Sequence, residues 1–116
     1  MVSFRSASAA AFAGLTDKVG VVAEGSAAKV GSDLFAVAAM LRGEGNLRRF
    51  LTDQSVDVAA QRGLAQELFS GKVDAVSLGI VTDAAARRWT KVRDLADALE
   101  RAGVIAVVRS VGLQGE

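Results

Sequence analysis

The sequence predicts an all-α fold, a six-helix bundle followed by a C-terminal linker or interdomain segment. Three observations carry this expectation. Apolar residues recur at three- and four-residue spacing through successive stretches, the signature of helices that bury one face. Hydrophobic residues make up 51% of the chain but aromatic ones only 5%; alanine, valine and leucine therefore supply the core, which favours closely spaced helices over a sheet filled by rings. Proline is absent, so Gly, Asp, Asn, Ser and Thr must mark the breaks, and they fall between the periodic stretches. With 116 residues there is room for one domain and one modest core, or one domain plus a piece of linker.

The first helix is expected from about Ser3 to Val22, with Phe4, Ala11, Leu15 and Val22 on one stripe and Phe12 and Val19 beside it. Gly25 and Ser26 close it. A second helix covers about Ala27 to Arg42 and buries Val30, Leu34, Val37, Ala38 and Leu41; Gly43 and Gly45 end it by admitting left-handed backbone. A short third helix starts at Asn46 as N-cap and runs through Leu47, Phe50 and Leu51. Asp57 caps a fourth that reaches Ser70, burying Ala65, Leu68 and Phe69, with Gly71 as its stop. Asp74 starts a fifth to about Trp89, and Thr90 caps a sixth whose face is Val92, Leu95, Ala96 and Leu99. The β-branched run after Gly103 reads equally as a strand, a linker or a continuation of the sixth helix. The expected division is a six-helix domain over 1–102 and a linker or the start of a further segment over 103–116, ending as if cut at a linker, with a natural continuation.

Composition excludes several kinds of chemistry. Histidine and cysteine are both absent, so Ser/His/Asp and Cys/His nucleophiles, imidazole and thiolate metal ligands, and disulfides are ruled out. Fourteen Lys and Arg against 13 Asp and Glu leave a formal charge of +1, too little for a global field that draws in nucleic acid. The apolar run Gly103 to Val108 falls far short of the ~20 residues a membrane helix requires. Direct membrane insertion is therefore not expected, and the alanine-rich N-terminus, broken by Ser3, Arg5, Ser6 and Ser8, is not a secretory signal.

Individual motifs are weak. Gly71-Lys72 fails as a phosphate loop, because Gln66 stands where the first glycine belongs and Val73 where Ser or Thr must follow. Gly43-Glu44-Gly45 fails as a dinucleotide fingerprint, because Arg48 holds the third glycine position and no strand precedes it. Asp94, Asp97 and Glu100 lie three apart on one helix face and read as a solvated surface. The cluster Arg87, Arg88, Lys91 and Arg93 encloses Trp89. It either stacks on a base, or Trp89 plugs the end of the bundle while the arginines hydrogen-bond the last carbonyls of helix five. No catalytic residue, cofactor site or metal site emerges.

Helix five has too wide an apolar arc for one buried stripe. With Val76 at zero, Ile80 and Ala84 fall within about 80°, while Leu78, Val81, Ala85 and Trp89 fall between roughly 140° and 220°. The helix is either central or partly reserved for a partner. Ala7, Ala10, Ala11 and Gly14 form a small-residue track on helix one, and Gly79, Asp83 and Ala86 form another on helix five. Side by side, the tracks make a groove for an amphipathic helix, or they let helices one and five pack tightly on each other.

The order Leu41-Arg42, Leu47-Arg48-Arg49-Phe50-Leu51-Thr52-Asp53, Leu68-Phe69-Ser70-Gly71-Lys72-Val73, Arg88-Trp89 and Arg93-Asp94-Leu95-Ala96-Asp97-Ala98-Leu99-Glu100 resembles the N-terminal domain of the delta subunit of bacterial rotary ATP synthase. That subunit is the counterpart of the mitochondrial oligomycin-sensitivity-conferring protein, and Arg88-Trp89 with Arg93-Asp94 look most like actinobacterial versions. The resemblance covers Phe4 to about Ala102. It implies a non-catalytic stator part of the peripheral stalk, peripheral on the cytoplasmic face of the cell membrane, which helps couple proton flow to ATP synthesis. It also implies a groove between helices one and five that grips N-terminal helices of the alpha subunits, while a C-terminal region outside this chain engages the b-type stalk. Carried over by position, the contact residues are Ala7, Ala11 and Gly14 on helix one and Gly79, Asp83 and Ala86 on helix five. One departure is visible early in helix one, where many relatives have arginine, proline and tyrosine and this chain has Ala9, Ala10 and Ala11. A reading from another class is a helical nucleic-acid-binding regulator using Arg42, Arg48, Arg49 and the cluster near Trp89, whose binding would depend strongly on salt.

Overall fold

A computed structural model describes residue 4 and residues 6–111. Among these residues it is all-α, with six helices: α1 (Ser6–Gly20), α2 (Glu24–Gly43), α3 (Gly45–Thr52), α4 (Val58–Phe69), α5 (Ala75–Ala85) and α6 (Asp94–Val111). The expected start of the first helix at Ser3 and the terminal segment 112–116 lie outside the described residues.

Most of the expected core stripes are buried, with Phe4 and Phe12 only partly so. Ala11, Leu15 and Val19 face inward from α1, Val22 from the turn after it, and Val30, Leu34, Val37, Ala38 and Leu41 from α2. Ala65 and Phe69 are buried on α4, with Leu68 packed at the margin. Asp57 and Asp74 cap as their sequence positions suggest, accepting from the backbone N–H of Ala59 (3.2 Å) and Val76 (3.1 Å). Gly71, at φ 82°, takes the left-handed conformation that ends α4.

Other boundaries move, each for an identifiable reason. The first break falls at Val21–Ala23, so Gly25 and Ser26 lie inside the first turn of α2. Asn46 is within α3, not its cap; its side-chain oxygen accepts from Arg49. Helix α5 stops at Ala85, four residues before the expected end. There the chain leaves the helical path so that Trp89, 1% exposed, can turn into the core and donate from Nε1 to the Ala84 carbonyl at 2.9 Å. Helix α6 begins at Asp94, four residues past Thr90; the Asp94 carboxylate reaches back to the Lys91 N–H (3.1 Å), half of a capping box. Val92 lies in the preceding turn and is 41% exposed instead of buried.

Of the three readings of the run after Gly103, helix is the one observed. Helix α6 continues to Val111, with Gly103 and Ala106 buried. The reason is the partnership of α2 and α6, the most extensive helix pair in the fold. At Gly31 an added Cβ would come within 2.6 Å of Val107 Cγ2 and 3.1 Å of the Gly103 carbonyl oxygen; at Gly103 it would come within 2.9 Å of Phe35 Cε1 and 3.2 Å of the Gly31 carbonyl oxygen. Gly103 therefore marks a crossing of two backbones, not the end of a helix. Around this pair, α1 packs on α6, α5 contacts α2, α1 and α6, α4 packs mainly on α5, and α3 bridges α2 and α6.

Gly31→Val should lower stability by about 1–3 kcal/mol through overpacking, seen as a lower urea midpoint. Gly63→Ala is the control: on the exposed side of α4 an added Cβ meets nothing within 4 Å. It should raise stability by up to ~1 kcal/mol through helix propensity.

Candidate functional site

The site is the face where α1 and α5 run beside each other. Two buried carboxylates fix the helix ends that frame it. Asp33 of α2 accepts from the Asp74 N–H (3.0 Å) and the Ser77 hydroxyl (2.7 Å), and its second oxygen pairs with Lys29 Nζ at 3.0 Å. This pins the start of α5. Burial pushes the Asp33 carboxyl up, but the hydrogen bonds from Asp74 and Ser77 and the Lys29 ammonium outweigh it, and its pKa ends below the ordinary value. Beyond the far end of α5, Ser8 donates to Asp94 Oδ2 at 2.7 Å, its own N–H donates to Thr90 Oγ1 at 3.2 Å, and the Thr90 N–H donates back to Ser8 Oγ. That network ties the start of α1 to the connection between α5 and α6.

Between these anchors the two helices diverge enough to leave shallow depressions. One, of about 310 Å³, is lined by Ala7, Ala10 and Ala11 of α1 and by Ala86, Arg87 and Arg88 after α5. A second, of about 330 Å³, lies towards the start of α5 and is lined by Lys18, Val21, Val22, Val76, Gly79 and Ile80, among others. A third, of about 300 Å³, is lined by Lys18, Gly79, Thr82 and Asp83 with Arg62 of α4.

The six residues expected at a groove occupy this face in different ways. Ala7, Ala11 and Ala86 line the first depression, and Gly79 and Asp83 line the others. Gly14 is covered: a Cβ there would collide with the guanidinium of Arg87. Arg87 is held by Asp83, through Nε at 2.7 Å and Nη2 at 3.4 Å, and Lys18 Nζ stands 4.0 Å from the same carboxylate. By sequence pattern Asp83 belongs to a small-residue track and Arg87 to the basic cluster around Trp89. The four-residue spacing of Asp83 and Arg87 was the signal that could have joined them.

The arginines near Trp89 do not close helix five. Trp89 takes the Ala84 carbonyl itself, while Arg87 pairs with Asp83 and Arg88 donates to the Gln54 carbonyl (3.4 Å). The acidic row on α6 is only in part the solvated surface expected, with Glu100 exposed. Asp94 is buried, and Asp97 and Glu100 pair with Arg42 at 2.8 and 2.6 Å. Arg48 donates to the Leu41 carbonyl at 2.8 Å and also to that of Arg42, closing α2, and Arg49 donates to Asn46. Of the residues named for a nucleic-acid surface, Arg42, Arg48, Arg49, Arg87 and Arg88 are thus engaged within the fold, while Lys91 and Arg93 are exposed. Among the described residues, no group of three or more His, Cys, Asp or Glu is placed to hold a metal, and no helix is long and apolar enough to cross a membrane.

No family model matches the chain. Individual relatives do. The ATP synthase subunit delta of Nocardioides sp. is 45% identical over 85 residues, 73% of this chain and 31% of the relative. That of Kineococcus radiotolerans is 43% identical over 94 residues, 80% of this chain and 34% of the relative. That of Rhodococcus opacus is 32% identical over 108 residues, 90% of this chain and 39% of the relative. The chain belongs to the ATP synthase delta-subunit family. It spans about a third of the length of these curated relatives. Family membership and the all-α fold agree with the resemblance read from the ordered motifs between Leu41 and Glu100.

Asp33→Asn should lower the stability of this delta-family chain at pH 7 by about 1–3 kcal/mol, because a charged acceptor of buried hydrogen bonds is lost. The native pKa is depressed, so the contribution of Asp33 is present above the unfolded-state value near ~3.9 and is lost as pH falls through the native value. Urea unfolding from pH 7 down to pH 2 should therefore show a flatter acid limb in the variant than in the parent.

Proposed function

We propose that this chain is a stator module of a proton-translocating ATP synthase, part of the peripheral stalk, which binds N-terminal amphipathic helices of alpha subunits in the cleft between α1 and α5. The observation that carries the reading is the cleft itself. Two neighbouring helices of a delta-family chain present apolar, solvent-open depressions lined by Ala7, Ala10, Ala11 and Ala86 at one end and by Val21, Val76 and Ile80 at the other. Apolar surface left open beside a packed core favours a helix laid into it.

In this reading the module turns over no substrate and holds no cofactor. It resists torque by binding, and it sits peripherally at the cytoplasmic face of the membrane through the assembly it joins. A C-terminal region outside this chain would engage the b-type stalk subunit. The division into a six-helix unit and a connecting segment belongs to the same proposal. Because α6 is packed through Ala106 and helical to Val111, the connection would begin past that helix and not at Gly103.

The test is calorimetric titration with a peptide of the first ~25 residues of the alpha subunit from the same organism, long enough for several helical turns. One-to-one saturable binding is expected. Ala10→Leu and Ala86→Leu, which fill the depression at partly or fully exposed positions, should weaken it by at least about tenfold, in line with lost complementarity at an interface, with the urea midpoint unchanged. Equal affinity in both variants would remove this face from the reading.

A further inference from the structure

The cleft between α1 and α5 is not uniformly apolar. Its apolar lining is concentrated at the two ends, and its middle is crossed by the chain Lys18, Asp83, Arg87. The residues lining its three depressions include the cations Lys18, Arg62, Arg87 and Arg88 and the single carboxylate Asp83. The chain as a whole is balanced at +1, so this positive excess is local. Arg87 is the central cation. Asp83 holds it through Nε and Nη2, and its remaining guanidinium edge lies over Gly14. Glycine at position 14 is what leaves room for the group to lie flat in the cleft floor; any side chain there would push it out. An arginine held on one edge keeps unused donors on the other, in the fork geometry that suits a second carboxylate.

We infer that the helix received by this cleft carries an aspartate or glutamate in the middle of its apolar face, which pairs with Arg87 and Lys18. Apolar side chains on either side of that acid would enter the two flanking depressions. The geometry fits: from Val76 to Ala86 the cleft wall on α5 spans ten residue steps, about 15 Å of helix. An occupying helix would therefore present apolar residues roughly one to two turns before and after its acid. The exposed Val21 (83%) and Val76 (42%) distinguish this from a phosphate-binding surface, which has no use for apolar flanks. The central charge gives register and selectivity, since an apolar helix without the acid would leave Arg87 desolvated and only partly paired.

The inference rests on the alpha-subunit reading above, and its test separates the two. The same peptide is titrated at 50 mM and 500 mM salt against the parent chain, Arg87→Gln and Gly14→Ala, with urea unfolding to establish that each variant is folded. In parallel, each acidic residue of the peptide is replaced in turn by glutamine. Expected are about tenfold weaker binding for Arg87→Gln, as for a close interfacial charge pair, and a smaller loss for Gly14→Ala, which displaces the guanidinium without removing its charge. One peptide acid should be as sensitive as Arg87, with no additional loss when both are changed. If the parent binds the peptide but Arg87→Gln and every acid-to-glutamine peptide bind equally well at both salts, the charge recognition is wrong and the alpha-subunit reading stands. No binding to the folded parent would overturn both. Competition by a DNA oligonucleotide, lost in Arg87→Gln, would assign the cations to nucleic acid and overturn the inference.

Discussion

Where Gly31 and Gly103 meet, α2 and α6 approach until each glycine's missing side chain is occupied by the other helix. The remaining helices are arranged around this pair. An added methyl on either side would press on a backbone carbonyl, which cannot rotate away as a side-chain tip can. The close approach lets the buried faces of two long helices interlock, Val30, Leu34, Val37 and Ala38 from one and Leu95, Leu99, Ala102 and Ala106 from the other. It also gives α1 and α5 a rigid body on which to rest. A cleft between two outer helices keeps its shape only if what lies beneath them does not yield.

Side chains from outside each helix close the helix ends. Arg109 of α6 donates to the Val22 carbonyl at 2.6 Å, beyond the end of α1; Arg48 closes α2; Gln61 of α4 donates to the Phe50 and Asp53 carbonyls at 3.0 and 2.9 Å around the end of α3; Trp89 closes α5. Each satisfies carbonyls that a helix terminus leaves without intrahelical partners, and all but Trp89 tie two elements together. Asp33 and Asp94 do the corresponding work at helix starts. Helix α5 is thus held at its beginning by α2 and just past its end by the buried indole. Its flank towards α1 is free to present a surface.

The charge distribution follows from the same economy of contacts. Arg42 and Arg48 are paired within the fold, one with the acids of α6 and the other with the carbonyls of α2. Arg87 remains on the cleft, restrained by one carboxylate. A near-neutral chain can in this way show a cationic strip on one face without a field over the whole molecule.

The sequence by itself determined the helical class, the order of the six elements, most of the core stripes and the caps at Asp57 and Asp74, because periodicity and capping are local and depend on neighbours within a turn or two. It also carried the family, through motifs whose order is written along the chain. Only the tertiary structure decided that Gly103 is a crossing and not a break, that Trp89 ends α5 early, that the acids of α6 are buried or paired, and that Arg87 lies over Gly14. Each of these depends on a partner far away in sequence, or on backbone proximity that no local pattern encodes. A glycine that opens a turn and a glycine that admits another helix are the same residue in the sequence; only the neighbouring helix distinguishes them.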